Sequence, residues 1–196
     1  MDVAGIMQVA SVAGRHWNWR PFRLIPTALR AGLIETRSQI RLEATVALAD
    51  CPKPEIVFVP GGYGARRAAE NRAVTTWCAQ VCAEAELTLA MGAGAMVLGA
   101  AGLLDGAEIA ATRESREWLA AALPNTSVKE SDAIVVTGNG KFMTAAHSTH
   151  GVDLGLAAVE RFLGAKLTAN LRSSLGHPHL ASIAVPSGIK ITLPPR

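Results

Sequence analysis

Short apolar runs rich in β-branched residues alternate along this chain with longer Ala-rich runs whose apolar residues recur at helical spacing. The pattern predicts strands at Phe22–Pro26, Ala44–Leu48, Ile56–Val59, Leu87–Met91, Ile109–Thr112, Ala133–Thr137 and Lys141–Ala145. It predicts helices at Val3–Ala13, Ala65–Glu84, Ala93–Ala101, Glu114–Ala122, Gly151–Leu163 and Ala165–Leu175. This alternation is typical of an α/β fold, a three-layer α/β/α sandwich with a mostly parallel central sheet. Gly138-Asn139-Gly140 lies between two apolar runs and predicts a hairpin, so one strand pair is antiparallel.

Both ends of the chain depart from this pattern. Folds of this kind usually begin with a buried strand, whereas here a helical pattern follows Asp2 directly. Either the true start lies upstream, or the first strand of the sheet is missing. The stretch after Gly176 contains four prolines and cannot form a long helix. We therefore predict one domain at residues 1–175 and a Pro-rich tail at 176–196 that packs on the domain or extends from it.

Composition excludes several classes of function. The net charge is only +3, and the basic residues are spread along the chain and often lie beside acids, so no nucleic-acid partner is expected. Three cysteines form no CxxC pair, and their odd number predicts reduced thiols, a cytoplasmic location and no metal site built on sulfur. No cofactor is expected. The longest uncharged run, Leu87–Leu104, is half Gly and Ala. A buried strand and helix explain it better than a membrane span.

Two glycine-containing turns carry the strongest functional signal. Val57–Gly64 is an apolar strand that runs into a Gly-rich loop, and Leu89–Ala95 is a strand that turns sharply into a helix. Further matching stretches are Asp2–Gly5, Ala100–Gly106, Ala110–Thr112, Leu123–Asn125, Thr144–Ala146 and Gly151–Leu154. Together these motifs resemble the ThiJ/PfpI superfamily over about residues 2 to 170. The resemblance implies the flavodoxin-like, class I glutamine amidotransferase-like fold, and it is nearest to isonitrile hydratases and the sensing domains of AraC-type regulators.

This chain lacks two residues that the resemblance leads one to expect. The family has its nucleophilic cysteine at the strand-to-helix turn, in a Cys-Thr-Gly-Ala motif, and that position is Gly92 here. The histidine that follows in the family's Thr-Thr-His-Trp motif is replaced by Arg113. Cys51, Cys78 and Cys82 lie elsewhere and are interpreted as packing residues. A protease or glutamine amidotransferase activity is excluded, since both need a cysteine thiolate.

Two histidines occur where the family usually has small residues. His147 and His150 lie in the loop that, in relatives, is near the turn. Imidazoles titrate near neutral pH, so either of these could act as a general acid or base or bind an anion. The alternative is that one caps a helix or contacts a dimer partner while the other is solvated. We predict His147 as catalytic and His150 as substrate-binding.

Two charged residues can each be given two different roles. Asp2 matches an aspartate that supports catalysis in isonitrile hydratases, and it equally fits a helix N-cap. Arg113 fits binding of a carboxylate, or an ion pair with Glu114 or Asp2. We predict that Asp2 is catalytic and that Arg113 binds the substrate. The backbone at Gly61, Gly62, Gly92 and Ala93 completes the predicted site, with the N–H groups of Gly62 and Ala93 stabilising negative charge.

Two functions follow from these residues. The first is a hydratase or lyase that acts on a small molecule without a covalent cysteine intermediate and uses His147. The alternative is a catalytically inactive module that binds a small molecule or has a regulatory role. The resemblance also implies a homodimer. No membrane partner is expected.

Overall fold

The computed structural model describes residues 2–15 and 19–177, which form a mixed α/β fold. The helices are α1 (Asp2–Ala13), α2 (Tyr63–Ala69), α3 (Arg72–Glu84), α4 (Gly94–Ala100), α5 (Arg113–Ala122), α6 (Gly151–Leu163) and α7 (Ala165–Ser174). The strands are β1 (Thr27–Ala28), β2 (Gly32–Glu35), β3 (Arg41–Ala44), β4 (Val46–Ala47), β5 (Ile56–Val59), β6 (Leu87–Met91), β7 (Glu108–Ala111), β8 (Ser127–Glu130), β9 (Val135–Thr137) and β10 (Phe142–Ala145). Short 3-10 turns occur at Leu48–Asp50 and Ser148–His150.

Four strands form the central sheet in the order β5-β6-β10-β9. The first three run parallel, and β9 is antiparallel to β10. Asn139 has a φ of 54° in the turn between β9 and β10, so the predicted hairpin is confirmed. Strand β7 pairs in parallel with β8 and is tied to β10, because the Ala110 N–H donates to Thr144 Oγ1 at 2.9 Å.

Side chains of β6 alternate between two cores, which shows the three layers directly. Leu87, Leu89 and Met91 pack against α6 in one apolar cluster. Ala90 points the other way, into a cluster formed with α2, α3, α4 and α5. Every residue of β6 is buried, as expected for a central strand covered by helices on both faces. The predicted α/β three-layer sandwich is confirmed.

Close helix contacts hold α1 against α6 and so position the start of the described chain. A Cβ placed on Gly5 would lie 2.8 Å from the Gly151 carbonyl carbon, and one placed on Gly155 would lie 2.9 Å from the Val9 Cβ. Only glycine allows these helices to approach so closely. The helix predicted at Val3–Ala13 is confirmed, and its packing brings Asp2 to the carboxyl ends of the strands.

Three predicted elements differ from the structure. The strand expected at Ala44–Leu48 is interrupted at Thr45, between β3 and β4, and Leu48 begins a 3-10 turn. The strand expected at Phe22–Pro26 is absent. Pro26 has no N–H to donate to a neighbouring strand. Its carbonyl oxygen accepts a hydrogen bond from the Thr45 N–H at 2.8 Å, and β1 begins at the next residue. The single helix expected at Ala65–Glu84 is two helices, because the Asn71 Oδ1 accepts from the Ala73 N–H at 3.0 Å and starts α3 afresh.

Most of the predicted Pro-rich tail, residues 178–196, lies outside the described residues. The part of it that the structure describes ends at His177, whose Nε2 lies 2.7 Å from the buried carboxylate of Asp153 on α6. In the part of the chain that the structure describes, no helix combines the length and hydrophobicity needed to cross a bilayer. Over the same residues, no group of three or more His, Cys, Asp or Glu is placed to hold a metal ion.

Candidate functional site

A sharp strand-to-helix turn joins β6 to α4. Gly92 has a φ of 49° there, in the left-handed region, and its N–H donates to the Ala145 carbonyl oxygen at 2.8 Å. A Cβ built on Gly92 would meet only the Ala146 carbonyl oxygen, at 3.5 Å, so space remains for a side chain. A Cβ on Gly94 would collide with the Val59 carbonyl oxygen. The turn thus keeps a strained backbone and an open position where a nucleophile would stand.

The glycine loop after β5 is held against this turn. A Cβ on Gly61 would lie 2.6 Å from the Met91 carbonyl oxygen, so the two segments approach to a distance that only glycine permits. The Gly61 N–H donates to Asp2 Oδ2 at 2.9 Å. Asp2 therefore uses its carboxylate to hold the glycine loop at the edge of the turn.

A cleft of about 280 Å³ opens above the turn. It brings together five of the predicted site residues, namely Asp2, Gly61, Gly62, Gly92 and Ala93. It is also lined by Tyr63, Arg66, Met91, Thr112, Ser115, Trp118, Ala146 and Ser148, none of which was predicted. These residues follow the carboxyl ends of parallel strands, where α/β sheets bind ligands, and that rule was the available signal. A cavity of about 350 Å³ between α2, α4 and the loop after α5 holds none of the predicted site residues.

The cleft presents both acceptors and donors. Asp2 supplies a carboxylate. Among the described residues, neither the Gly62 N–H nor the Ala93 N–H makes a backbone or side-chain hydrogen bond. The Arg66 guanidinium lies over the Trp118 ring, 4.2 Å from its centroid, and forms part of the wall. Thr112 and Ser115 form a reciprocal capping box at the start of α5.

The two predicted histidines do not line the cleft. His147 Nε2 lies 3.0 Å from the Oδ1 of the exposed Asp132, and its ring packs edge-on against His150 with centroids 5.3 Å apart. The His150 Nδ1 is buried and has no hydrogen-bond partner among the described residues. Burial lowers the pKa of His150, and the nearby carboxylate of Asp153 opposes this shift.

Arg113 also lies outside the cleft. Its side chain is 83% exposed, and its Nε pairs with Glu130 Oε1 at 3.3 Å rather than with Glu114 or Asp2.

The cysteines take no part in the cleft either. Cys78 and Cys82 lie on α3 and are buried in the core, and burial raises the pKa of Cys78 to about 12. Cys51 lies half-buried near Thr27. With its pKa raised in this way, the Cys78 thiol is not a nucleophile at neutral pH.

Comparison with known proteins places this geometry in a family. A model described as the DJ-1/PfpI family matches residues 21–161. The chain belongs to the DJ-1/PfpI family. The resemblance to the ThiJ/PfpI superfamily drawn from the glycine motifs is thereby confirmed.

One curated relative and two solved structures illustrate what this chain is similar to. An isonitrile hydratase from Pseudomonas putida is 29% identical over 151 residues, which is 76% of this chain and 59% of that relative's length. A THiJ/PfpI family protein from Pseudomonas syringae superposes with a TM-score of 0.77 at 21% identity, covering 95% of this chain and 73% of that one. An AraC family transcriptional regulator from Pseudomonas putida superposes with a TM-score of 0.71 at 20% identity, and the match covers 89% of this chain and 91% of that one. The two solved structures show the shared fold.

Proposed function

We propose that this DJ-1/PfpI protein binds a small molecule without covalent attachment, in the cleft above Gly92. One observation carries the proposal. The Asp2 carboxylate and the N–H groups of Gly62 and Ala93 line one cleft around a turn that has no side chain. Convergent polar groups in a concave, partly apolar site are the usual form of a ligand pocket.

The polar groups define the class of ligand. A carboxylate accepts hydrogen bonds, whereas backbone N–H groups donate them, so the cleft suits a molecule with an N–H and a carbonyl close together. Ala93 and Trp118 supply apolar surface for a substituent. A volume of about 280 Å³ limits the ligand to a small compound. A small N-substituted amide meets all three conditions.

The thiols of the chain support binding without covalent chemistry. Gly92 removes the nucleophile from the turn, and Cys78 and Cys82 are buried in the core on α3. Burial raises the pKa of both thiols, which keeps them protonated at neutral pH. The three free cysteines also support our proposal of a reducing, cytoplasmic location.

A second candidate function is hydration of an isonitrile without a covalent intermediate. It is favoured by the Asp2 carboxylate in the cleft and by the isonitrile hydratase relative. Asp2 would take a proton from water while the water oxygen bonds to the terminal isonitrile carbon. Return of that proton to the same carbon, followed by tautomerisation, gives the N-substituted formamide. His147, the catalytic residue predicted from the sequence, would have to act from outside the cleft.

An aryl isonitrile and its N-aryl formamide separate the two candidates. We expect the formamide to raise the melting temperature of the natural protein and the isonitrile to remain unconsumed. Ser148→Trp fills the cleft and should abolish the rise. Ser173→Trp, on the exposed side of α7, is the matched control and should keep it. Absence of any rise contradicts the binding proposal. Turnover by the natural protein, lost in Asp2→Asn, establishes hydration instead.

A further inference from the structure

A second cavity, of about 350 Å³, lies between α2, α4 and the loop that follows α5. Its volume falls within the range of small-molecule sites. Arg66 lines both this cavity and the cleft above Gly92, and the two share no other residue. Ligand binding in the cleft therefore does not account for the second cavity.

A hydrogen bond and a close packing contact fix the walls of the second cavity. The Gly106 N–H donates to the Asn125 carbonyl oxygen at 2.8 Å, which ties the loop after α4 to the loop after α5. A Cβ on Gly99 would collide with the side chain of Leu123, so only glycine lets this leucine pack on α4. The cavity is therefore built into the fold.

Opposite charges line this cavity without neutralising each other. Arg66 and Glu70 are four residues apart at the C-terminal end of α2, a spacing at which helix side chains can form an ion pair. They form none, and the Arg66 guanidinium lies instead over the Trp118 ring, 4.2 Å from its centroid. Asp105 lines the cavity as well. Over residues 2–15 and 19–177, neither Glu70 nor Asp105 has an ion-pair partner.

The Arg66 guanidinium can bind a carboxylate without leaving the Trp118 ring. Stacking uses the flat face of the guanidinium, whereas its N–H donors point outward in its plane. These donors make no hydrogen bond to any described residue, and neither does the side-chain amide of Asn125, which lines the same cavity. Met96 and Pro124 add apolar surface. The cavity thus combines a cation, two carboxylates and an apolar wall.

We propose that the second cavity binds an aliphatic amino acid as its zwitterion. The carboxylate of the amino acid accepts hydrogen bonds from Arg66, its ammonium group donates to the carboxylates of Glu70 and Asp105, and its side chain packs on the apolar wall. The two charges of an amino acid lie on either side of one carbon atom, so the ligand bridges a cation and anions that do not reach each other. A simple amine leaves Arg66 without a partner, and a simple carboxylate meets the like charges of Glu70 and Asp105.

L-Leucine is the probe, together with two analogues that each lack one charged group. Isoamylamine lacks the carboxylate, and isocaproate lacks the ammonium group. We expect each analogue to bind the natural protein with a dissociation constant at least about tenfold higher than that of L-leucine, measured by isothermal titration calorimetry. Absence of saturable L-leucine binding overturns the proposal, and so does an analogue that binds as tightly as L-leucine.

Two matched double variants test the carboxylates. Glu70→Gln with Asp105→Asn removes both with little change of shape, so the dissociation constant for L-leucine should rise about tenfold or more. Glu86→Gln with Glu117→Gln removes two exposed carboxylates that line neither cavity, and should bind like the natural protein. An unchanged affinity in the first variant, or an equal loss in both, overturns the proposal.

Nuclear magnetic resonance distinguishes this cavity from the cleft. L-Leucine should shift the backbone amide resonances of Ala100 and Asn125, and it should still bind Ser148→Trp, in which the cleft is filled. Shifts confined to Gly61 and Ala93, or loss of binding in folded Ser148→Trp, overturn the proposal. Circular dichroism confirms that each variant is folded. The results for L-leucine do not depend on whether a formamide binds in the cleft.

Discussion

The carboxylate of Asp2 accepts a hydrogen bond from the N–H of Gly61 at 2.9 Å, across 59 residues of sequence. This bond connects the first turn of α1 with the glycine loop that follows β5. Both groups line the cleft above Gly92, so one interaction joins two walls of the ligand site.

Replacing Asp2 separates the geometry of this bond from its charge. We expect Asp2→Ala to lower the free energy of unfolding by about 1–2 kcal/mol, because the Gly61 N–H loses its acceptor. Asp2→Asn keeps an acceptor oxygen and should lose less. Urea denaturation measures the stability, and amide hydrogen exchange at Gly61 reports the bond itself. Equal stability and unchanged exchange in Asp2→Ala would show that the bond does not hold the loop.

The contact between α1 and α6 should tolerate no side chain at Gly5. A Cβ there meets the backbone of Gly151 and Val152 at 2.8 Å, so we expect Gly5→Ala to cost about 1–3 kcal/mol. Gly64, on α2, has open space around it, and Gly64→Ala should leave stability equal or higher. Thermal and urea unfolding of the two variants make the comparison. A Gly5→Ala protein as stable as Gly64→Ala would contradict the packing.

The turn at the end of β6 should tolerate a side chain better at Gly92 than at Gly94. Gly92→Ala has room but a positive φ, so we expect a loss of about 1–2 kcal/mol with the fold retained. Gly94→Ala collides with the Val59 carbonyl oxygen and should lose more. Gly92→Cys should likewise fold and present a thiol that iodoacetamide labels. The reverse order of stabilities would contradict the turn geometry.

His150 predicts a loss of stability on acidification. Burial lowers its pKa in the folded protein below the ordinary 6.5, so the unfolded chain takes up a proton at higher pH than the folded one. The free energy of unfolding contributed by His150 therefore decreases as the pH falls below about 6.5. His147, Asp132, Asp153 and His177 face it and modulate the shift.

The variant His150→Asn removes this proton uptake. Urea unfolding from about pH 7.5 to about pH 5 should show a shallower loss of stability in the variant than in the natural protein. The same slope in both proteins would show that His150 does not carry the effect.

The sequence was enough to predict the layers and the cleft floor, because both depend on local patterns. The strand at Leu87–Met91 is an uncharged, mostly apolar run, and the glycines at 61 and 92 follow closely after apolar strands. The break at Asn71 is not predicted, because the Ala-rich helical pattern continues on both sides of it, although Asn is a preferred N-cap residue.

The cleft walls were harder to predict, because they depend on contacts between distant segments. Arg66 and Trp118 come from separate helices and meet only when the sheet has formed. Arg113 replaces a family histidine, yet its side chain turns outward to Glu130. Matching a motif position fixes where a backbone lies, whereas the direction of a long side chain depends on its charged neighbours. His147 also lies outside the cleft, with its Nε2 3.0 Å from Asp132 Oδ1.

Nuclear magnetic resonance titration of the labelled natural protein with an N-aryl formamide tests the central claim most directly. If the cleft above Gly92 binds this ligand class, the amide resonances of Gly61, Gly62 and Ala93 shift together and saturate. Ser148→Trp should remove those shifts, and Ser173→Trp should leave them. Saturating shifts confined to other residues, or unchanged resonances at all three positions, would contradict the claim that this turn is the ligand site.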